Sequence, residues 1–189
     1  GVVVHNGCLK EYLDLFFKLT AGKWTRKKVP NRQWVDYIDE SGIPDAGEIQ
    51  QLENLGEKLQ KRMIGLDKST VNNTDFPGID GLIDGGNPIS LKASNGTESV
   101  LRSELKKIAT KANKLNDGNV GGHSDWTGTL SNGIDGMMST TIHSKSVVQS
   151  KWNSVLGDNQ INTDLVQNLY VQASDGWLKW SRAGGWENL

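Results

Sequence analysis

Asp80, Ser90 and Lys92 are residues whose types and spacing suit joint chemistry. They fall on two short apolar runs, 79–83 and 88–93, separated by Asp84-Gly85-Gly86-Asn87, which is a hairpin turn signal. Strand alternation puts Ser90 and Lys92 on one face of the second run and Leu91 on the other. An Asp80 turned the same way would bring a carboxylate, a hydroxyl and an ammonium around one point. A hard divalent cation takes carboxylate oxygens, and beside a phosphodiester it polarises the phosphate and lowers the pKa of its bound water. A neighbouring ammonium offsets the charge that builds on phosphorus. The chemistry that fits is metal-assisted phosphodiester hydrolysis, with Mg2+ or Zn2+ as the cation.

The stretch Asp75-Phe76-Pro77-Gly78-Ile79-Asp80, followed by Ser90-Leu91-Lys92, resembles the Asp…(Asp/Glu/Ser)-x-Lys core of the PD-(D/E)xK nucleases. It is similar in particular to the nuclease toxins of contact-dependent inhibition systems, some of which carry Ser where the second acid is expected. Ser90 is a poorer metal ligand than a carboxylate, so the site needs another acid. The resemblance implies a Glu from the helix before the first core strand. Residues 46–63 carry Ile49, Leu52, Leu55, Leu59 and Met63 at helical spacing. Glu53 lies roughly 40° outside that apolar arc and Glu57 further round. The family's spacing suits Glu57 slightly better, which makes Asp80 and Glu57 the implied metal ligands and keeps Glu53 as a further catalytic candidate. The implied fold is a restriction-endonuclease-like α/β (α+β) core, a small mixed sheet flanked by helices.

A second resemblance lies at the start of the chain. Val2-Val3-Val4-His5-Asn6 resembles the last strand of a Hint (intein-like) domain, whose terminal Asn attacks its own carbonyl with help from the preceding His. Gly7 follows where a splicing intein has Cys, Ser or Thr, so cleavage without splicing is implied. Such domains precede toxin cargo. The expectation is a domain delivered from the cell surface or by secretion as part of a larger toxin, acting in the target-cell cytoplasm. A cytoplasmic nuclease endangers the cell that makes it, which implies a cognate immunity protein as partner.

Composition sets the outer limits. At 189 residues, the expected organisation is a junction and helical segment over 1–44 and a nuclease-like domain over 45–189, large enough to bury a core without staples. The single Cys8 forms no internal disulfide. No run approaches the ~18 apolar residues of a membrane span, and the start of the chain lacks the basic, then apolar pattern of a signal peptide. If the protein is exported, a larger precursor is expected to carry the signal. The net charge of −1 gives no general attraction to nucleic acid, but its distribution does. Lys23, Arg26, Lys27, Lys28 and Arg32 form one basic cluster, and Arg102, Lys106, Lys107, Lys111 and Lys114 form another, with only Glu104 as an acid in either stretch. The helix with Arg102, Lys106, Lys107 and Lys111 is the expected substrate-binding surface, and both clusters are surfaces an acidic partner would meet.

The elements that must position these residues read as follows. Helices are expected over 9–19, 34–38, 46–63, 99–115 and 145–156; strands over 66–71, 79–83, 88–93 and 137–143; and a terminal hairpin from 165–173 and 177–180. The core order is thus α-β-β-β-α-β. A long loop over 116–136 suggests function or mobility. His123 and His143 offer a second chemistry, the acid and base of a metal-independent ribonuclease, with Lys145 or Thr141 stabilising the phosphorane. A third reading is a non-enzymatic binding domain. No Cys/His cluster has zinc-finger spacing, and Trp177, Trp180 and Trp186 are expected as core anchors or an interface.

Overall fold

Alternating apolar side chains give each central strand two faces, and both are buried. The structure, a computed structural model, describes residues 25–38, 43–66, 70–71, 74–75, 79–119 and 127–189. Its strands are β1 (Arg26–Lys28), β2 (Val35–Ile38), β3 (Met63–Gly65), β4 (Thr70–Val71), β5 (Thr74–Asp75), β6 (Gly81–Ile83), β7 (Pro88–Ala93), β8 (Ile134–Ser139), β9 (Val166–Ala173), β10 (Gly176–Ser181) and β11 (Gly185–Asn188). Three helices accompany them among the described residues: α1 (Ala46–Leu59), α2 (Glu98–Asn116) and α3 (Lys145–Leu156). All strands but β4 and β5, which pair with each other, join one sheet in the order β1-β2-β3-β6-β7-β8-β9-β10-β11.

The sheet is mixed. The pairs β2/β3, β7/β8 and β8/β9 are parallel, and the other neighbours are antiparallel. Parallel neighbours need a crossover, and each parallel pair has one: α1, α2 and α3 respectively. Helix α1 covers the face that carries Ile83, Ile89, Leu91, Met137 and Tyr170. Helices α2 and α3 cover the other face, over Ile64, Leu82, Met138, Leu169 and Val171. The mixed α/β class expected from the sequence is the class observed, and in the main sheet α1-β3-β6-β7-α2-β8 follows the expected α-β-β-β-α-β order with β3 in place of the strand expected over 66–71.

Several boundaries differ from expectation. The helix over 46–63 stops at Leu59, because Gln60 turns into the left-handed region (φ 54°) and Lys61 N–H closes onto the Gly56 carbonyl; without a Gly at the stop, the sequence carries no signal for it. Met63 therefore opens β3 and does not extend the helix. Of the strand expected over 66–71, Thr70–Val71 is strand, as β4 paired with β5; Leu66 lies just past β3, and 67–69 lie outside the described residues. Residues 34–38, read as helix, form β2 instead: Val35 and Tyr37 face α1, Ile38 faces away, and Asp36 is held by Arg26 and Arg62. That ion pairing spans distant sequence, so local pattern cannot show it. The strand expected over 137–143 runs earlier, as β8, and the terminal hairpin gains β11. The helix expected over 9–19 lies outside the described residues.

Close approach of α2 to the sheet depends on Gly136 of β8. A Cβ there would sit 2.9 Å from two side-chain carbons of Ile108, and Gly136 is the register partner of Ser90 on β7. Helix α3 is anchored differently, by a fully buried Trp152 that meets Trp180 of β10 edge to face at 5.5 Å and 72°. Trp152→Ala is expected to cost about 3–5 kcal/mol of stability, read as a lowered urea midpoint with an unchanged slope. Trp186→Ala, half-buried with its indole N–H on Asn153, should cost clearly less.

Candidate active site

The β6–β7 hairpin closes on Asp84 to Asn87, with Gly85 at φ +73° and the Gly86 N–H on the Ile83 carbonyl. A positive φ at that position is what glycine supplies without strain. Pairing runs regularly through Leu82↔Pro88 and Gly81↔Ile89 and then slips. Asp80 gives its own N–H to Ile89 O at 3.0 Å, and its carboxylate Oδ2 accepts the Leu91 N–H at 2.7 Å. A side chain thus takes over a bond that backbone would otherwise make. The carboxylate is held, 3% exposed, at the amide between Ser90 and Leu91, one residue from Lys92.

Ser90 and Lys92 lie on the α2 face, as alternation requires, because their register partners are Gly136 and Met138. Ser90 is buried and Lys92 half-buried. The structure therefore places Asp80, just before β6, at the stretch of β7 that carries Ser90 and Lys92. It does not bring Glu53 or Glu57 to them, since α1 covers the opposite face of β7. Both Glu53 oxygens are occupied, accepting the N–H groups of Gln33 at 2.8 Å and Trp34 at 2.9 Å, which fastens the approach to β2. Glu57 is exposed in the last turn of α1.

Beside its apolar side chains, α1 brings an amide to β7. Gln51 donates to the Lys92 carbonyl at 2.9 Å and to Ser139 Oγ at 3.0 Å. Sequence reasoning passed over it while looking for an acid. The available signal was Gln50, Gln51 and Asn54 clustered beside the apolar stripe of α1.

Among the described residues, no three His, Cys, Asp or Glu side chains gather as a metal cage. A magnesium-type cation, which keeps waters and takes one or two carboxylates plus substrate phosphate, does fit Asp80, whose second oxygen is fixed by the Leu91 N–H as an orienting bond.

The basic helix is partly spent on structure. Arg102 donates to Ser154 Oγ and pairs with Asp158 at 3.1 Å, tying α2 to the end of α3; a backbone N–H from Gln160 and this guanidinium hold Asp158 below its ordinary pKa. Lys107 pairs with Glu104 at 2.6 Å. Lys106 and Lys111 are exposed. In the other cluster, Arg26 pairs with Asp36 and Asp84. Burial raises the Asp36 carboxyl, but hydrogen bonds from Arg62 and Arg26 outweigh it and leave the pKa lowered.

His143 is committed elsewhere: its Nε2 bonds the Gly96 carbonyl at 2.7 Å and its backbone N–H meets Thr140 Oγ1 at 3.1 Å. It joins the loops that open α2 and α3. His123 lies outside the described residues. A buried acid that sequence reasoning did not single out is Asp135, on the α1 face, whose Oδ1 accepts from Asn168 at 2.9 Å and Asn87 at 3.2 Å. Burial pushes its pKa up, against the pull of those two amides.

No protein-family model, curated protein or solved structure matches this chain.

Asp135 generates a pH prediction. A carboxyl whose folded pKa is raised binds protons more readily folded than unfolded, so stability falls as pH climbs from the ordinary carboxylate range through the raised value. Asp135→Asn keeps the accepting oxygen and removes the charge. It should therefore be more stable than wild type at neutral pH, with the difference shrinking as pH drops toward the ordinary carboxylate pKa, checked by thermal melts across pH.

Proposed function

We propose that the chain is a metal-dependent endonuclease, the toxic cargo of a larger delivered protein, acting on DNA or tRNA in the cytoplasm of a target bacterium. The observation that supports this most is the Asp80 carboxylate held on the Leu91 N–H, with Ser90 and Lys92 the residues on either side of Leu91, within an α-β-β-β-α-β order. Asp80 holds the cation, which when bound polarises the phosphate and lowers the pKa of its water. Lys92 offsets charge gathering on the phosphoryl oxygens. Ser90 supplies a hydroxyl beside the carboxylate. Exposed Lys106 and Lys111 draw the backbone toward the α2 side, with Arg102 and Lys107 contributing charge while paired to their own partners. The bond between His143 and Gly96 counts against the histidine-based ribonuclease.

Asp80→Ala and Lys92→Ala should each lower cleavage of plasmid or tRNA at least about 100-fold, while circular dichroism stays that of wild type. EDTA should stop cleavage and added Mg2+ restore it. Wild-type rates in both folded variants would remove the site.

The same reading carries a partner, an immunity protein acidic where it meets the α2 lysines or the 26–32 cluster, since charge complementarity speeds capture. Cells expressing the wild-type chain should lose viability, and cells expressing Asp80→Ala should grow. Co-expression of the neighbouring small reading frame should rescue the wild type. Normal growth with detectable wild-type protein in the cytoplasm would overturn the toxin reading.

A further inference from the structure

The parallel strands β7, β8 and β9 end together beside α1, and at their C-terminal ends lies a cleft of about 510 Å³. Crevices outside the carboxyl ends of parallel strands are where α/β sheets bind ligands, and this volume suits a single small molecule or nucleotide. It opens on the α1 face, whereas the Lys92 side chain lies on the α2 face, so the two regions meet over the C-terminal end of β7, where the cleft begins at Ala93 and Gln51 bonds the Lys92 carbonyl and Ser139.

Among the described residues, its lining contains no charged side chain, so those residues offer a phosphate or carboxylate no cation and an ammonium no anion. What the cleft offers is a row of amides: Gln50 donates to Asn54 at 2.7 Å, and Asn54 donates to Gln172 Oε1 at 3.2 Å. Across from them, Asn95 Oδ1 accepts from Thr141 N–H at 2.8 Å and from Thr140 Oγ1 at 3.3 Å. These bonds orient the amides and use up their inward partners. Among the described residues, the Gln172 and Asn95 NH2 groups and the Gln51 Oε1 have no protein partner. Two NH2 groups and an acceptor oxygen thus remain among the described residues of the cleft. A flat, uncharged edge carrying both acceptors and donors is the chemistry they match, and a nucleobase is such an edge.

We propose that this cleft is a base-reading subsite that takes the unpaired base of a nucleotide flanking the scissile phosphate. The assignment rests on the nuclease reading of Asp80 and Lys92 and narrows its substrate. Only an unstacked base can present its pairing edge to a cleft, so the substrate segment is single-stranded or looped, and cutting depends on the base beside the cut.

Two measurements test this separately from the nuclease reading. In the first, the four nucleoside 5′-monophosphates are titrated into 15N-labelled full-length Asp80→Ala protein. Side-chain amide resonances of Gln172 and Asn95 should shift, and by different amounts for different bases; no shift with any nucleotide at millimolar concentration overturns the subsite. In the second, cut sites are mapped on random-sequence single strands and on their duplexes. Wild type should favour the single strand and one base at the flanking position. Gln172→Glu keeps the oxygen that accepts from Asn54 but loses the donor, and should reduce that base preference about tenfold. An unchanged preference in a cleaving Gln172→Glu enzyme, or wild-type cutting of duplex in preference to single strand, overturns the proposal. Amide shifts without cleavage of any nucleic acid would leave the cleft a nucleobase site and remove the nuclease reading.

Discussion

Strand β7 is the constraint on which the rest depends. It is paired on both edges, antiparallel to β6 and parallel to β8, and covered on both faces, by α1 on one and α2 on the other. Only one register satisfies all four neighbours. A slip by one residue would turn Ile89 and Leu91 out of the α1 core and drive Lys92 into it. Pro88 fits this scheme because it opens the strand, where the missing N–H costs no ladder bond. The side chains that could act on substrate are thus fixed by the same alternation that fills the core.

Two polar groups beside β7 are tolerated because each has a partner from the backbone or a neighbouring element, whereas the buried Ser94 Oγ just past the strand has none among the described residues. The Asp80 carboxylate takes the Leu91 N–H where the ladder slips, and Gln51 takes the Lys92 carbonyl where the strand outlasts β6. An unpaired polar group in such a place would cost about 1–3 kcal/mol. Irregularity in the ladder is therefore what lets a carboxylate stand inside the sheet at the point where two strands part.

How much of this was legible in the sequence follows from how local each determinant is. The β6–β7 hairpin, α2, α3 and the β9–β10 hairpin could be read directly, since turn residues and apolar periods lie within a few residues of what they specify. The Asp80, Ser90, Lys92 cluster was legible for the same reason. Residues 34–38 were not, because an Asp inside a strand makes sense only with Arg62 folded against it. Glu53 has the right angular position for a catalytic acid, but backbone N–H groups of Gln33 and Trp34 claim it. The amide cleft escaped because its walls come from α1, the loop after β7, and the ends of β8 and β9, far apart in sequence.

Among the described residues, the two borders of the sheet differ in chemistry. One border is β1, Arg26-Lys27-Lys28, and the other is β11, which carries Glu187. Open borders present unpaired backbone groups that can template a neighbour. A basic border repels another copy of itself, so zippering of β1 onto β1 between molecules is opposed by charge. Added salt weakens that protection. Crowded, high-salt solutions are accordingly where this fold is most exposed to edge-to-edge association.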